Sequence, residues 1–157
     1  MEARVYAEDP DNKFLPGTGL LRVLKEPLKE EGKVRIDTGV RQGDEISTFY
    51  DPMISKLIVW GKDRNEAIER LYQALSDYKV IGLPTNIKFM KRVLLNETFK
   101  TGLFDTSFIE QHQAELLGDR PLSHEASQKR NASIALANVW FENATKRFQR
   151  SASVDPW

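Results

Sequence analysis

The sequence predicts an α+β domain: an antiparallel β-sheet with helices packed on it, followed by a further helix toward the C-terminus. Three observations predict it. Residues 33–60 hold three β-like runs in succession, 34–37, 45–50 and 53–60, divided by turn residues. From Asp63 onward the apolar side chains recur at helical rather than alternating spacing. The two patterns are segregated, whereas a parallel sheet would interleave them.

Element by element, residues 3–7 alternate around Val5 and read as a short strand, stopped by the acidic turn residues that follow. Residues 20–24 read as a second strand, ended by Pro27 and a charged stretch. Asp51-Pro52 suits a tight reversal, which predicts that runs 45–50 and 53–60 pair. The near-continuous apolar run 53–60, broken by Ser55 and Lys56, suits a central strand. Asp63 caps a helix with Glu66 three residues on, and Ile68, Leu71, Leu75 and Tyr78 form one face, expected over Leu57 and Val59. Residues 79–83 read as a short strand. Pro84-Thr85 opens a helix with Ile87, Met90, Val93 and Leu94 inward; residues 96–100 add a helical turn closed by Gly102; and Phe104, Phe108 and Ile109 dock the next segment. The expected partition is a domain over 1–113, a polar linker over 114–122, and over 123–157 a helix to about residue 150 with a frayed tail. Ile134, Ala137, Phe141, Ala144 and Phe148 make an apolar stripe on that helix, which requires a covering partner.

Composition removes several function classes. Lys plus Arg equals Asp plus Glu, 23 each, so no basic field exists to recruit nucleic acid. No apolar run reaches the length of about 18 residues that a spanning helix needs. Cysteine is absent, which removes disulfides, Cys–metal sites and Cys nucleophiles. His112 and His124 lack metal-ligand spacing, so no metal ligand is assigned. Gly17-Thr18-Gly19 reads as an ordinary loop rather than a phosphate cradle. The acids Glu8, Asp9, Asp11, Asp44 and Glu45 lack the spacing of a Ca²⁺ loop. Asn-x-Ser/Thr triplets at Asn96, Asn131 and Asn143 read as chance occurrences. Lys56 reads as an edge or interface lysine that snorkels. Arg35, on the first run of the sheet, is the remaining candidate for chemistry; its plainer reading is a cross-strand salt bridge to Asp37 or Glu45.

Six blocks in fixed order make the pattern specific: residues 4–10 (RVYAEDP), 14–16 (FLP), Val34-Arg35, 50–58 (YDPMISKLI), 63–67 (DRNEA) and 82–87 (GLPTNI). Together they resemble the C-terminal domain of biotin carboxylase, from the biotin-dependent carboxylases, over about residues 2–113. Residues 35–45 with 105–109 most resemble the acyl-CoA subfamily of methylcrotonoyl-CoA carboxylase α subunits, and propionyl-CoA carboxylase is the near competitor. The resemblance implies a ligase that carboxylates biotin with ATP, bicarbonate and Mg²⁺ or Mn²⁺. It implies that Arg35 binds biotin and stabilises its enolate, a task suited to an always-charged planar donor fork.

The resemblance also implies partners. The nucleotide, metal and bicarbonate residues of the family lie in an ATP-grasp half N-terminal to this domain, and neither that half nor the Met-Lys-Met biotin acceptor matches this sequence. The expectation is a fragment, inactive alone. Its partners would be that half, the biotin carboxyl carrier domain and a carboxyltransferase β subunit, the last facing the helix beyond residue 123. Residues 60–64 resemble a region used in carboxylase homodimers. Location would be the mitochondrial matrix in a eukaryote and the cytoplasm in a bacterium. The rival reading is a non-catalytic dimerisation or subunit-docking module, against which Arg35→Ala is the deciding substitution.

Overall fold

The computed structural model of the chain describes residues 1–117. The strands are β1 Glu2–Tyr6, β2 Glu8–Asp9, β3 Leu15–Pro16, β4 Gly19–Leu20, β5 Val23–Lys25, β6 Val34–Thr38, β7 Glu45–Ile46, β8 Met53–Val59 and β9 Lys79–Ile81. The helices are α1 Arg64–Asp77, α2 Ile87–Leu95, α3 Glu97–Thr101, α4 Phe108–Gln111 and α5 Gln113–Leu116. This is the expected α+β arrangement. The helix expected over 123–150, with Asn131, Asn143 and His124, lies outside the described residues.

The apolar run does form the central strand. β8 runs antiparallel to β1 on one side and β6 on the other, in the order β1-β8-β6. Successive side chains on a strand point to opposite faces, and here the two faces differ in kind. Leu57 sits between Ala3 of β1 and Ile36 of β6, and Ser55 lies opposite Val5; all of these are buried. The other face carries Glu2 and Arg4 of β1, Lys56 and Ile58 of β8, and Arg35 and Asp37 of β6. α1 packs on β8 as expected, and Ile68, Leu71, Leu75 and Tyr78 share one core with Leu57 and Val59. Asp63 caps α1 by accepting from the Glu66 N–H at 2.9 Å, and Glu66 returns a bond to the Lys62 N–H at 2.8 Å.

One expected pairing fails because β8 has only two edges. The run 45–50 shortens to β7, which pairs with β4 rather than with β8. No hairpin forms at Asp51-Pro52, because β1 and β6 already occupy both sides of β8. Phe49 and Tyr50 are left 87% and 83% exposed. Asp51-Pro52 instead ties down β1, since the Pro52 carbonyl accepts from the Ala7 N–H at 2.9 Å. The run 20–24 divides at buried Leu21 into β4 and β5, and β5 pairs with β9. At this crossing Gly82 has φ +126°, and a Cβ there would lie 2.0 Å from the Leu20 carbonyl oxygen, so only glycine fits.

Two sets of buried polar contacts help close the core. Ser55 and Tyr78 hydroxyls hydrogen-bond at 3.0 Å. The Asn86 carboxamide reaches the free edge of β1: its oxygen accepts from the Tyr6 N–H at 3.0 Å and its nitrogen donates to the Arg4 carbonyl at 3.1 Å. Asn86 thereby stands in for a missing neighbour strand. α2 starts after it, at Ile87 rather than at Pro84-Thr85, without a side-chain cap. Leu94 of α2 is buried, and Ile87 and Met90 pack partly on the core. Phe108 docks as expected, whereas Phe104 and Ile109 each stay 43% exposed, Phe104 stacked on Phe99 at 5.1 Å.

Candidate functional site: the open face of the sheet

β6 places Arg35 and Asp37 two residues apart, hence side by side on the open face. Arg35 donates from Nε to Asp37 Oδ1 at 2.8 Å and from Nη2 to Oδ2 at 2.9 Å, a bidentate fork. The arginine side chain remains 75% exposed. The plainer reading of Arg35 therefore identified the Asp37 contact, but the pair lies along one strand rather than across two. Glu45 takes no part; it sits in β7 opposite Leu20. The Arg35 hydrogen bond holds the Asp37 carboxyl below the usual carboxylate range, helped by the charges of Lys56 and Lys29.

Lys56 is not an edge lysine. It lies on the central strand, opposite Asp37 on one side and Arg4 on the other. Arg4 donates to Glu2 at 3.4 Å. The face thus carries a row of Arg4, Lys56 and Asp37, with Arg35 one step along β6 and Glu2 one step along β1, so three cations stand with two acids. Next to it the Tyr6 hydroxyl donates to Asp51 at 3.4 Å, and partial burial, with the Asp51 charge, raises the Glu8 carboxyl. Such a surface can hold a small anion or stabilise an oxyanion. Arg4 and Tyr6 escaped the sequence reading because their neighbours on β8 are about 50 residues away in the chain. A β1–β8 register would have found them.

Other candidates resolve into structure. His112 Nδ1 lies 3.2 Å from Asn96 Nδ2, and its ring packs on Phe108. Among the described residues no group of His, Asp or Glu could hold a metal ion, and no helix is long and apolar enough to cross a membrane. Asn96 is buried, with its side chain capping α3 by accepting from the Phe99 N–H at 3.1 Å. Gly17 donates to the Ala7 carbonyl at 2.7 Å and packs against Pro84, as a loop anchor. Asp9 caps a short 3₁₀ turn over Pro10–Asn12.

A sequence profile described as the biotin carboxylase C-terminal domain matches residues 2–111. The methylcrotonoyl-CoA carboxylase α subunit (mitochondrial) of Dictyostelium discoideum is 41% identical over 99% of this chain, which covers 22% of that protein. Its Rattus norvegicus counterpart is 50% identical over 74% of the chain, covering 16% of that protein. The Sus scrofa propionyl-CoA carboxylase alpha chain (mitochondrial) is 39% identical over 96% of the chain and 20% of its own length. The chain thus spans about a fifth of these relatives. Among solved structures, a biotin carboxylase domain dimer of Hydrogenobacter thermophilus 2-oxoglutarate carboxylase, in complex with MgADP, ADP and bicarbonate, matches with TM-score 0.71. It is 30% identical, over 76% of this chain and 26% of that one.

Proposed function

The chain belongs to the biotin carboxylase C-terminal domain family, and from that premise we propose that it supplies the Arg35 face of a biotin carboxylase within methylcrotonoyl-CoA carboxylase, the enzyme of leucine breakdown. One observation carries the reading for this chain. Arg35 is the cation that β6 presents on an open face, aimed by a bidentate carboxylate rather than neutralised inside the core.

The residues fit a bound ureido group. Biotin, when bound, supplies the ring nitrogen that takes up the carboxyl group. Arg35 offers its remaining N–H donors to the ureido oxygen, where negative charge develops, and it cannot lose its own charge at working pH. Lys56 and Arg4 add positive potential on the same face, which favours anionic reactants. ATP, bicarbonate and the Mg²⁺ or Mn²⁺ ions fall to the ATP-grasp half; no residue described here is assigned to them. In this reading a carrier domain would deliver biotin, and a carboxyltransferase β subunit would take the carboxyl group onward. The 41–50% identical relatives favour the methylcrotonoyl over the propionyl enzyme, and their names favour the mitochondrial matrix.

The test is bicarbonate-dependent ATP cleavage with free biotin, run on this chain alone and with a separately made ATP-grasp half. The expected result is silence alone, activity in the mixture, and loss of that activity with Arg35→Ala. Activity of the chain alone, or an Arg35→Ala mixture as active as wild type, would overturn the reading. The second outcome would favour the docking-module alternative.

A further inference from the structure

We propose that Asp37 is a positioning residue for Arg35, selecting which edge of the guanidinium meets the reacting anion; this rests on the functional reading above. A guanidinium has five N–H donors in a fixed planar fork. Asp37 engages the Nε hydrogen and one Nη2 hydrogen, at 2.8 and 2.9 Å. Of the donors left over, the second Nη2 hydrogen and one Nη1 hydrogen form the terminal edge of the fork, while the other Nη1 hydrogen points back beside Cδ. Asp37 therefore commits Arg35 to present that edge and no other. Both residues stand on β6, with Ile58 and Lys56 of β8 as their backbone partners, so the aim is set by a strand ladder rather than by a loop.

Asp37 is suited to the task because it stays ionised. Lys56 lies directly across from it, and Arg35 and Lys56 both act to lower its carboxyl. Without Asp37, the largely exposed arginine would sample many rotamers, and turnover would fall with the fraction of time the fork is aimed. Simple electrostatics gives the opposite sign. Removing a carboxylate from beside an oxyanion site makes the face more positive and should raise anion stabilisation. The two accounts are thus separated by the direction of the effect.

The experiment measures kcat and KM for free biotin in the mixture of this chain with an ATP-grasp half, using Asp37→Ala, Asp37→Asn, Asp37→Glu, Arg35→Ala and the Arg35→Ala/Asp37→Ala double variant. Asp37→Ala should lower kcat roughly 10- to 100-fold, the scale of a small misplacement at a reacting centre, with a smaller change in KM. Asp37→Asn should fall between, and Asp37→Glu should restore part of the loss. In the Arg35→Ala background, removing Asp37 should change nothing further. On the chain alone, the Arg35 Nε–H resonance should be sharp in wild type and lost to exchange in Asp37→Ala and Asp37→Asn. An unchanged or higher kcat in Asp37→Ala, beside a crippled Arg35→Ala, overturns this inference and spares the functional reading. So does a further loss in the double variant. Arg35→Ala as active as wild type, or a mixture silent with the wild-type chain, overturns both. Should Asp37→Ala fail to fold by circular dichroism, Asp37→Asn, nearly isosteric, decides by the same criteria.

Discussion

Asn86→Ala should unpin β1 from its free edge. The carboxamide makes two hydrogen bonds to the main chain of β1, with Tyr6 and Arg4, from a residue only 8% exposed. Truncation leaves one N–H and one C=O without partners. Each lost bond costs about 1 kcal/mol where water can enter and up to about 3 where it cannot, and this part-buried edge lies between. A loss of about 2–4 kcal/mol follows, from a total stability on the order of 5–15. For a unit of this size that is a fall in Tm of roughly 8–16 °C. Asn86→Asp sharpens the test. At neutral pH it keeps the acceptor for Tyr6 but turns a second oxygen toward the Arg4 carbonyl oxygen. The carboxylate gains about 0.3–1 kcal/mol from the N-terminus of α2, less than the lost donor and the repulsion cost, so Asp should be worse than Ala at pH 7. Below the carboxyl's own pKa, the protonated acid can donate again and Asp should become the better variant. Urea denaturation of both variants at pH 7 and pH 4, followed by circular dichroism, checks this, and comparing the two variants cancels the general effect of acid. A loss below about 0.5 kcal/mol for Asn86→Ala, or no crossover with pH, would refute the edge-clamp argument.

Three further outcomes are expected. Arg35→Lys keeps the charge and loses the fork, so turnover in the reconstituted mixture should drop by about 10²–10³, the scale for losing one oriented donor at an oxyanion, with an unchanged circular dichroism spectrum. Burial raises the Tyr78 hydroxyl above its ordinary value; its protonated form is favoured in the folded state, so its contribution is complete below about pH 10, the unfolded value, and is lost as pH rises beyond it. Alkaline titration of stability should lose this limb in Tyr78→Phe, which also strands the Ser55 hydroxyl at about 1–3 kcal/mol; adding Ser55→Ala should recover part of that cost. Gly82→Ala should destabilise more than Gly39→Ala, because the new Cβ would meet the Leu20 carbonyl at one position and open space at the other; matched thermal melts decide it.

The legible parts of the fold were those whose cause is local. Spacing alone gave α1, its Asp63 cap and its buried face, since each depends on neighbours within a few residues. The central role of 53–60 was legible because one strand of seven residues is almost wholly apolar. What failed was pairing. Asp51-Pro52 has good turn chemistry, but whether a turn becomes a hairpin depends on whether the strand beside it has a free edge, and β1, from the far end of the chain, had taken it. The site divides in the same way. Arg35 and Asp37 were visible together because they are two residues apart, whereas Arg4 and Lys56 join them only through the register of β1 on β8. Asn86 was unreadable because an asparagine ahead of a helix is ordinarily its cap, and here its side chain serves a strand some 80 residues earlier.

The parity of the sheet has a consequence for how this chain can change over time. On β8, Ser55, Leu57 and Val59 belong to the interior while Lys56 and Ile58 belong to the open face, and on β6 Ile36 is flanked by Arg35 and Asp37. From Ser55 onward, interior and open-face positions therefore alternate along β8; before it, Ile54 is buried as well. Substitutions at one set can drift toward a different reactant while those at the other drift toward a different working temperature, with little epistasis between them. A one-residue deletion inside β8 has no such freedom. It would exchange the two sets for every position beyond it, turning a leucine to solvent and a lysine into the core. The length of this strand should be the most rigidly kept feature of the chain, more so than the identity of any residue within it.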